Sequence, residues 1–209
     1  MRKETKMTDS TGASRNVYTN VVTGATRNPV IPNPDAIDEV FSQAANATLH
    51  RAAELARLVV GAHQSAVAII VEKDWSSVRK FFSLSEKYAD WKEYAEPAKG
   101  FGTHAWLLEH NQSVRFTQAE LEAHPRWMNF GTEDGKHPPM RGWMSAPLID
   151  RTGKNWGLFQ LSDKYEGDFT ETDEAHFMML VELVSNTLES LWEVRNLTKQ
   201  IKSDTPPAE

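Results

Sequence analysis

Seven histidines, seven tryptophans and no cysteine limit the chemistry open to this chain of 209 residues. Two histidines on one helix face can hold zinc, but no His-x-x-x-His or His-Glu-x-x-His pair occurs, and His104 and His110 stand six apart, on different faces. No metal centre is expected, although one axial histidine is enough to hold a haem. Without cysteine there is no disulfide, thiolate nucleophile or sulfur ligand. Triad spacing of Ser, His and Asp, a glycine-rich phosphate loop and kinase nucleotide motifs are all missing, so no catalytic residue is expected. Reversible binding remains. Arg141 and His137 flank Pro138-Pro139-Met140, a rigid polyproline-like spacer that fixes their separation. Turned inward, Arg141 would hold a carboxylate or another planar acceptor; turned outward, it would pair with a surface acid. Thr103, at the start of a short helix, either offers free N–H groups to an anion or simply caps. Trp75, Trp91, Trp106, Trp127, Trp143, Trp156 and Trp192 are individually core residues first, because indole buries a large area and needs one hydrogen bond.

These residues need a frame, and the stretch 141–174 supplies it. The polar run Asp150-Arg-Thr-Gly-Lys154 lies between two apolar segments, Trp143 to Ile149 and Trp156 to Leu161, which reads as a β-hairpin. Thr170-Glu-Thr-Asp173 is a helix-start signal, opening a final helix to about Ile201, roughly 45 Å long at 1.5 Å per residue. Its residues Phe177, Leu180, Val184, Thr187, Leu191, Val194, Thr198 and Ile201 recur at three and four, the period of a coiled-coil seam, which points to a second copy. Upstream, a first helix over 35–60 places Ile37, Phe41, Ala44, Thr48, Ala52, Leu55 and Val59 on one face and stops at Gly61. Strands are expected over Ser65–Val71 and Val78–Leu84, joined by a turn at Asp74–Ser77, and over Val114–Phe116 at a sheet edge. Short helices are expected over Tyr88–Ala95 and His104–Glu109, and after the capping box Thr117-Gln-Ala-Glu120 until Pro125. The loop 126–140 is long enough to cover a site. Residues 1–34 form a flexible arm and 202–209 a tail.

With 40 % apolar and 25 % charged residues, the composition suits one soluble domain. A net charge of −6 without a dense basic run argues against nucleic acid. No apolar run approaches the ~20 residues of a membrane span, and no signal peptide is visible, so a cytoplasmic location is expected.

The order of hairpin, Gly157-Leu-x-Gln160, then Phe169-Thr-x-x-Asp173-Glu174 opening a last helix resembles a GAF domain over roughly Asp35 to Arg195. Leu84-Ser-Glu-Lys-Tyr88, Thr117 to Pro125, His137-Pro-Pro-Met-Arg-Gly-Trp143 and Leu161 to Asp168 look like the GAF modules of bacterial PAS/GAF sensor histidine kinases. The resemblance implies an α/β (α+β) fold: a central antiparallel sheet of five or six strands, terminal helices on one face, short helices and loops over the other. It implies a non-catalytic sensory domain that binds a small molecule between the sheet and those covering elements, lined by Trp91, Tyr94, Thr103, His104, Trp106, Trp127, His137, Arg141 and Trp143. It implies a homodimer through the first and last helices, coupled to a histidine kinase or another signalling protein. Lys164 and Asp173 match a Lys and Asp of cyclic-nucleotide-binding GAF domains and are expected to form a surface latch, while Asp163 stands where that motif has Asn. GAF activities that depend on cysteine, namely bilin attachment, free methionine sulfoxide reduction and thiol redox sensing, are closed to this chain, so no covalent cofactor is expected. The alternatives are a ligand-free docking module and a haem or non-covalent chromophore sensor.

Overall fold

The structure, a computed structural model, describes residues 34–70, 78–91, 102–128 and 138–204. The N-terminal arm to Asn33, the turn at 74–77, Tyr94, His137, the end of the Tyr88–Ala95 helix, most of the loop 126–140 and the last five residues lie outside the described residues, as does the side chain of Trp91.

Five strands form one antiparallel sheet: β1 (Ala62–Ile70), β2 (Val78–Leu84), β3 (Val114–Phe116), β4 (Trp143–Ile149) and β5 (Asn155–Lys164), in the order β2-β1-β5-β4-β3. The helices are α1 (Pro34–Val60), α2 (Gly102–His110), α3 (Gln118–Ala123) and α4 (Glu171–Asp204), with a 3₁₀ turn at Glu86–Trp91. Local chemistry explains several boundaries. Gly61, at φ 75, ends α1 as a left-handed glycine should. Thr117 and Glu120 form the reciprocal capping box at the start of α3. Thr170 and Asp173 do the same for α4: the Thr170 N–H donates to the Asp173 carboxylate at 2.8 Å, and the Asp173 N–H donates to Thr170 Oγ1 at 3.2 Å. In the β4–β5 turn the Asp150 carboxylate accepts from the Thr152 and Lys154 N–H groups and from the Trp156 indole, each at 2.9 Å.

Two strands are longer than the sequence suggests. β1 begins at Ala62 and β5 ends at Lys164, because the polar residues His63, Gln64, Ser162 and Asp163 look like loop until strand pairing is known. Gln64 pairs with Ser162, and Ala62 with Lys164.

The apolar core lies on one face of the sheet. Val67, Phe81, Met144, Ala146, Leu148, Phe159 and Leu161 pack against Leu49, Ala53 and Ala56 of α1 and Phe177, Val184 and Leu188 of α4. This corrects the helix faces read from sequence. The buried stripe of α1 is Ala45, Leu49, Ala52, Ala53, Ala56 and Val60, whereas Leu55 and Val59 are half-exposed, because small alanines let the helix lie close to the sheet. The α4 seam is also divided: Phe177 and Val184 are buried in this domain's own core, Leu180 and Leu191 pack against it, and Val194 and Ile201 face outward. The outward stripe is Met179, Leu183, Val194, Leu197 and Ile201, 58–68 % exposed. Toward its C-terminus α4 is held to α1 by Trp192 against Phe41, ring centroids 5.5 Å apart, and by Arg195 and Lys199, both 2.5 Å from the Asp38 carboxylate.

Candidate functional site

The opposite face of the sheet mixes small, polar and apolar residues. Paired residues project to the same side, so the register defines three rows across the floor. One row is Phe82, Ala66, Gln160, Ser145; the next is Leu84, Gln64, Ser162, Trp143; the third is Lys80, Ala68, Leu158, Pro147. Gln160 sits mid-floor on β5, the middle strand, between its small pair partners Ala66 and Ser145.

Helix α2 crosses above. His104 Nε2 lies 2.5 Å from Gln160 Oε1, and the Trp143 indole donates to the same oxygen at 3.3 Å. The two rings meet edge to face, with centroids 5.4 Å apart. An amide oxygen only accepts, so His104 donates from Nε2 and its Nδ1 is the bare acceptor. Burial, aided by the charge of Lys80, holds His104 below the ordinary imidazole range against the opposing effect of Gln160. A neutral histidine, an amide and an indole thus form one hydrogen-bonded group at mid-floor, beside Ala66 and Ser145.

That neutrality has a consequence for stability. His63 is also held low, by burial first. For both groups the folded pKa lies below the unfolded value of about 6.5, so the unfolded chain takes up protons first. Stability is full above about pH 6.5 and declines as pH falls below it. Urea midpoints measured from about pH 7.5 to 5 should show this decline, and His104→Leu should remove part of it.

A second polar centre closes one end of the sheet. Asp163 is fully buried and has a left-handed backbone, φ 60, rare outside glycine and tolerated best by Asn and Asp. Its carboxylate accepts from Lys87 Nζ at 2.5 Å, the Tyr88 hydroxyl at 2.9 Å and the Arg141 N–H at 3.0 Å. Burial raises the Tyr88 hydroxyl's pKa, and the neighbouring Asp163 adds to that, so Tyr88 stays a donor. The next residue, Lys164, reaches the other way: its Nζ donates to the Val60 carbonyl at the end of α1, 2.5 Å, and to Asp173 in the first turn of α4, 2.7 Å. Lys164 and Asp173 meet, though not as the surface pair expected from sequence. The side chains of Lys164 and Asp173 are only 16 % and 14 % exposed, because the junction of the two helices covers them. Burial tends to raise the Asp173 pKa, but the bonds from Lys164 and Thr170 outweigh it and hold the carboxyl below its usual range.

The nine expected lining residues therefore divide. His104 and Trp143 meet at Gln160. Thr103 is buried within α2. Trp106 and Trp127 pack beside the apolar cluster of Leu107, Val114, Leu121, Trp143 and Leu158, and Trp106 also stacks on His110 at 4.4 Å. Arg141 is exposed, and its guanidinium donates to the Tyr165 carbonyl. Trp91, Tyr94 and His137 fall outside what the structure describes. Sequence reasoning did not select Gln160, Asp163, Lys87 or Tyr88 as site residues. A polar residue alternating with Leu158 on an apolar strand was the available signal for Gln160; Asp163 was marked only by its place in the Lys164–Asp173 motif, and its side-chain partners Tyr88 and Lys87 lie 75 and 76 positions away. Among the described residues no group of three His, Asp or Glu could hold a metal ion, and no helix is long and apolar enough to cross a membrane.

The GAF domain family pattern matches residues 44–188, more than half of the chain. The chain belongs to the GAF family. Solved structures agree at the level of fold. The GAF domain of an Acinetobacter phosphoenolpyruvate-protein phosphotransferase is similar with a TM-score of 0.55 at 12 % identity, covering 78 % of this chain and 94 % of that one. The type II free methionine-R-sulfoxide reductase of Thermoplasma acidophilum gives 0.55 at 12 %, over 72 % and 96 %. The second GAF domain of DevS from Mycobacterium smegmatis gives 0.54 at 12 %, over 73 % and 99 %. No curated protein matches the chain. Membership supports a regulatory or sensory role, and the reductase is a reminder that a GAF fold can also carry catalysis.

Proposed function

We propose that this GAF domain is a non-catalytic sensor that binds a small molecule reversibly over the Gln160 floor, between the sheet and α2. The observation that carries this reading is the hydrogen-bonded group of His104, Gln160 and Trp143, which sets one amide, one neutral imidazole and one aromatic face at the middle of the floor, with the small residues Ala66 and Ser145 on either side of Gln160. Few, fixed polar groups against an aromatic wall suit a planar organic ligand. The lack of cysteine supports a binding role over thiol catalysis and over covalent chromophore attachment.

Transmission would run through α4 in a homodimer. Its outward stripe of Met179, Leu183, Val194, Leu197 and Ile201 lies on the face turned away from the domain's own core and is 58–68 % exposed, an apolar face suited to a partner. We assign that partner to a second copy of the chain, with a histidine kinase or another cytoplasmic signalling protein as the recipient. Light scattering should give about twice the 23.6 kDa chain mass, and a monomer at micromolar concentration would exclude this arrangement.

The packing of Trp106 and Trp127 beside Leu107 and Leu121 favours a second reading, a ligand-free docking module whose covering layer is filled by its own side chains. Thermal unfolding across aromatic acids, cyclic nucleotides, amino acids and nitrate separates the two. A ligand at 100 times its Kd should stabilise by about 2.7 kcal/mol, and the gain should vanish in Gln160→Leu. No shift with any compound would favour the docking module, and visible absorbance in the purified protein would favour a haem or chromophore.

A further inference from the structure

We propose that Asp163 and Lys164 form the element that couples the binding side of the sheet to the α1–α4 pair, so that a change at one is felt at the other through a single peptide unit. The inference gives a route to the sensory reading above and takes its purpose from it, but its test needs no ligand.

Three observations carry it. First, the two side chains divide their partners. The Asp163 carboxylate holds Lys87 and Tyr88 of the 3₁₀ turn and the N–H of Arg141. The Lys164 ammonium holds the last carbonyl of α1 and the first turn of α4. In a regular strand Asp163 would follow Phe159 and Leu161 toward the helices; the left-handed backbone breaks that alternation. Second, the backbone of the pair is bonded to the segment leading into β4. The Asp163 N–H donates to the Gly142 carbonyl at 3.1 Å and the Lys164 N–H to the Arg141 carbonyl at 3.0 Å. A shift of residues 139–142 must therefore move both. Third, the pair adjoins the floor. Ser162 and Trp143, paired across β4 and β5 in the floor, immediately precede Asp163 and follow Gly142.

Lys87 is the input end. Its ammonium bridges Asp163 and the Pro139 carbonyl, 2.6 Å away, so it fastens the 3₁₀ turn, the β4 approach and the carboxylate together. Asp173 is the output end, since the same carboxylate that meets Lys164 also caps α4 through the Thr170 N–H. Two charged contacts in series, joined by a rigid strand end, transmit displacement because Asp163 is fully buried and Asp173 is largely covered, so neither carboxylate exchanges its partners freely for water.

Hydrogen exchange of Lys87→Met in the full chain tests this. If the pair couples the two sides, exchange should quicken at least fivefold at Glu174 and Asp173 in the first turn of α4 and at Gly61 after α1, all far in sequence from position 87. Amides of Val194 to Gln200, at the other end of α4, should keep their rates. A change confined to residues 86–91 and 138–142 would overturn the proposal, and so would a uniform rise through β1 and β5, which is loss of stability alone. Should Lys87→Met not fold, Asp163→Asn serves with the same readout, since Asn suits the left-handed backbone and its one amide oxygen can still accept from the Arg141 N–H, while its NH2 takes the place of the oxygen that meets Lys87 and Tyr88. An unchanged α4 first turn in that variant would equally overturn it. Absence of any ligand for the domain would leave these rates as they are, so failure of the sensory reading is distinguishable from failure of the coupling.

Discussion

Asp163→Ala is expected to lower the free energy of unfolding by about 2–4 kcal/mol, read as the shift in urea midpoint at constant slope. Removing the acceptor leaves the Tyr88 hydroxyl buried without that partner and the Lys87 ammonium without its counter-charge. Breaking a buried ion pair costs about 3–5 kcal/mol when both groups are enclosed. Lys87 is 31 % exposed and can turn partly to water, which lowers the estimate. Alanine adds up to about 1 kcal/mol, because it keeps the Cβ that strains a left-handed backbone and lacks the short polar side chain that offsets the strain in aspartate. A loss below about 1 kcal/mol would mean that the Asp163 cluster is a surface feature, contrary to its full burial.

Gly157→Ala should be more damaging still. Gly157 lies on β5 at φ 155, opposite Ile69 of β1, and a Cβ there would stand 2.0 Å from the Ala68 carbonyl oxygen and 2.9 Å from Ile69 Cα. Both obstacles are backbone, so no rotamer change relieves them and the β1–β5 pairing at the middle of the sheet must open. A loss above about 4 kcal/mol is expected, a large part of the roughly 5–15 kcal/mol that holds a domain together. Gly153→Ala is the matched comparison. Gly153 also has positive φ, 84, but nothing lies within 4 Å of its added Cβ. Only the backbone strain of about 1 kcal/mol applies there. Equal effects of the two substitutions would refute the steric account.

Features governed by neighbours in sequence were legible in it. The β4–β5 hairpin follows from Asp150 and Gly153, the α3 and α4 starts from Thr117 with Glu120 and Thr170 with Asp173, and the end of α1 from Gly61. The GAF resemblance carried the architecture further than these signals could, down to helices on one face and short elements over the other. What failed to show was set by pairing over distance. Ser162 to Lys164 read as loop because nothing nearby says that Ala62 to Gln64 will lie beside them. The α4 period was clear, yet periodicity alone does not say which stripe meets the sheet, so Phe177 and Val184 looked like an intermolecular seam. Arg141 drew attention through its Pro-Pro spacer, while the polar group on the floor came from His104, Trp143 and the unselected Gln160, brought together from three elements.

The indole N–H resonances of the seven tryptophans test the central claim most directly. Trp143 donates to Gln160 on the binding floor, whereas Trp156 and Trp192 lie together on the helix side, centroids 5.7 Å apart. Titrating the labelled protein with the compounds that raise its unfolding temperature should move the Trp143 signal with saturable amplitude and leave Trp156 and Trp192 in place at low occupancy. Compounds that move only Trp156 and Trp192, or none that moves Trp143, would contradict a sensor built on the Gln160 floor.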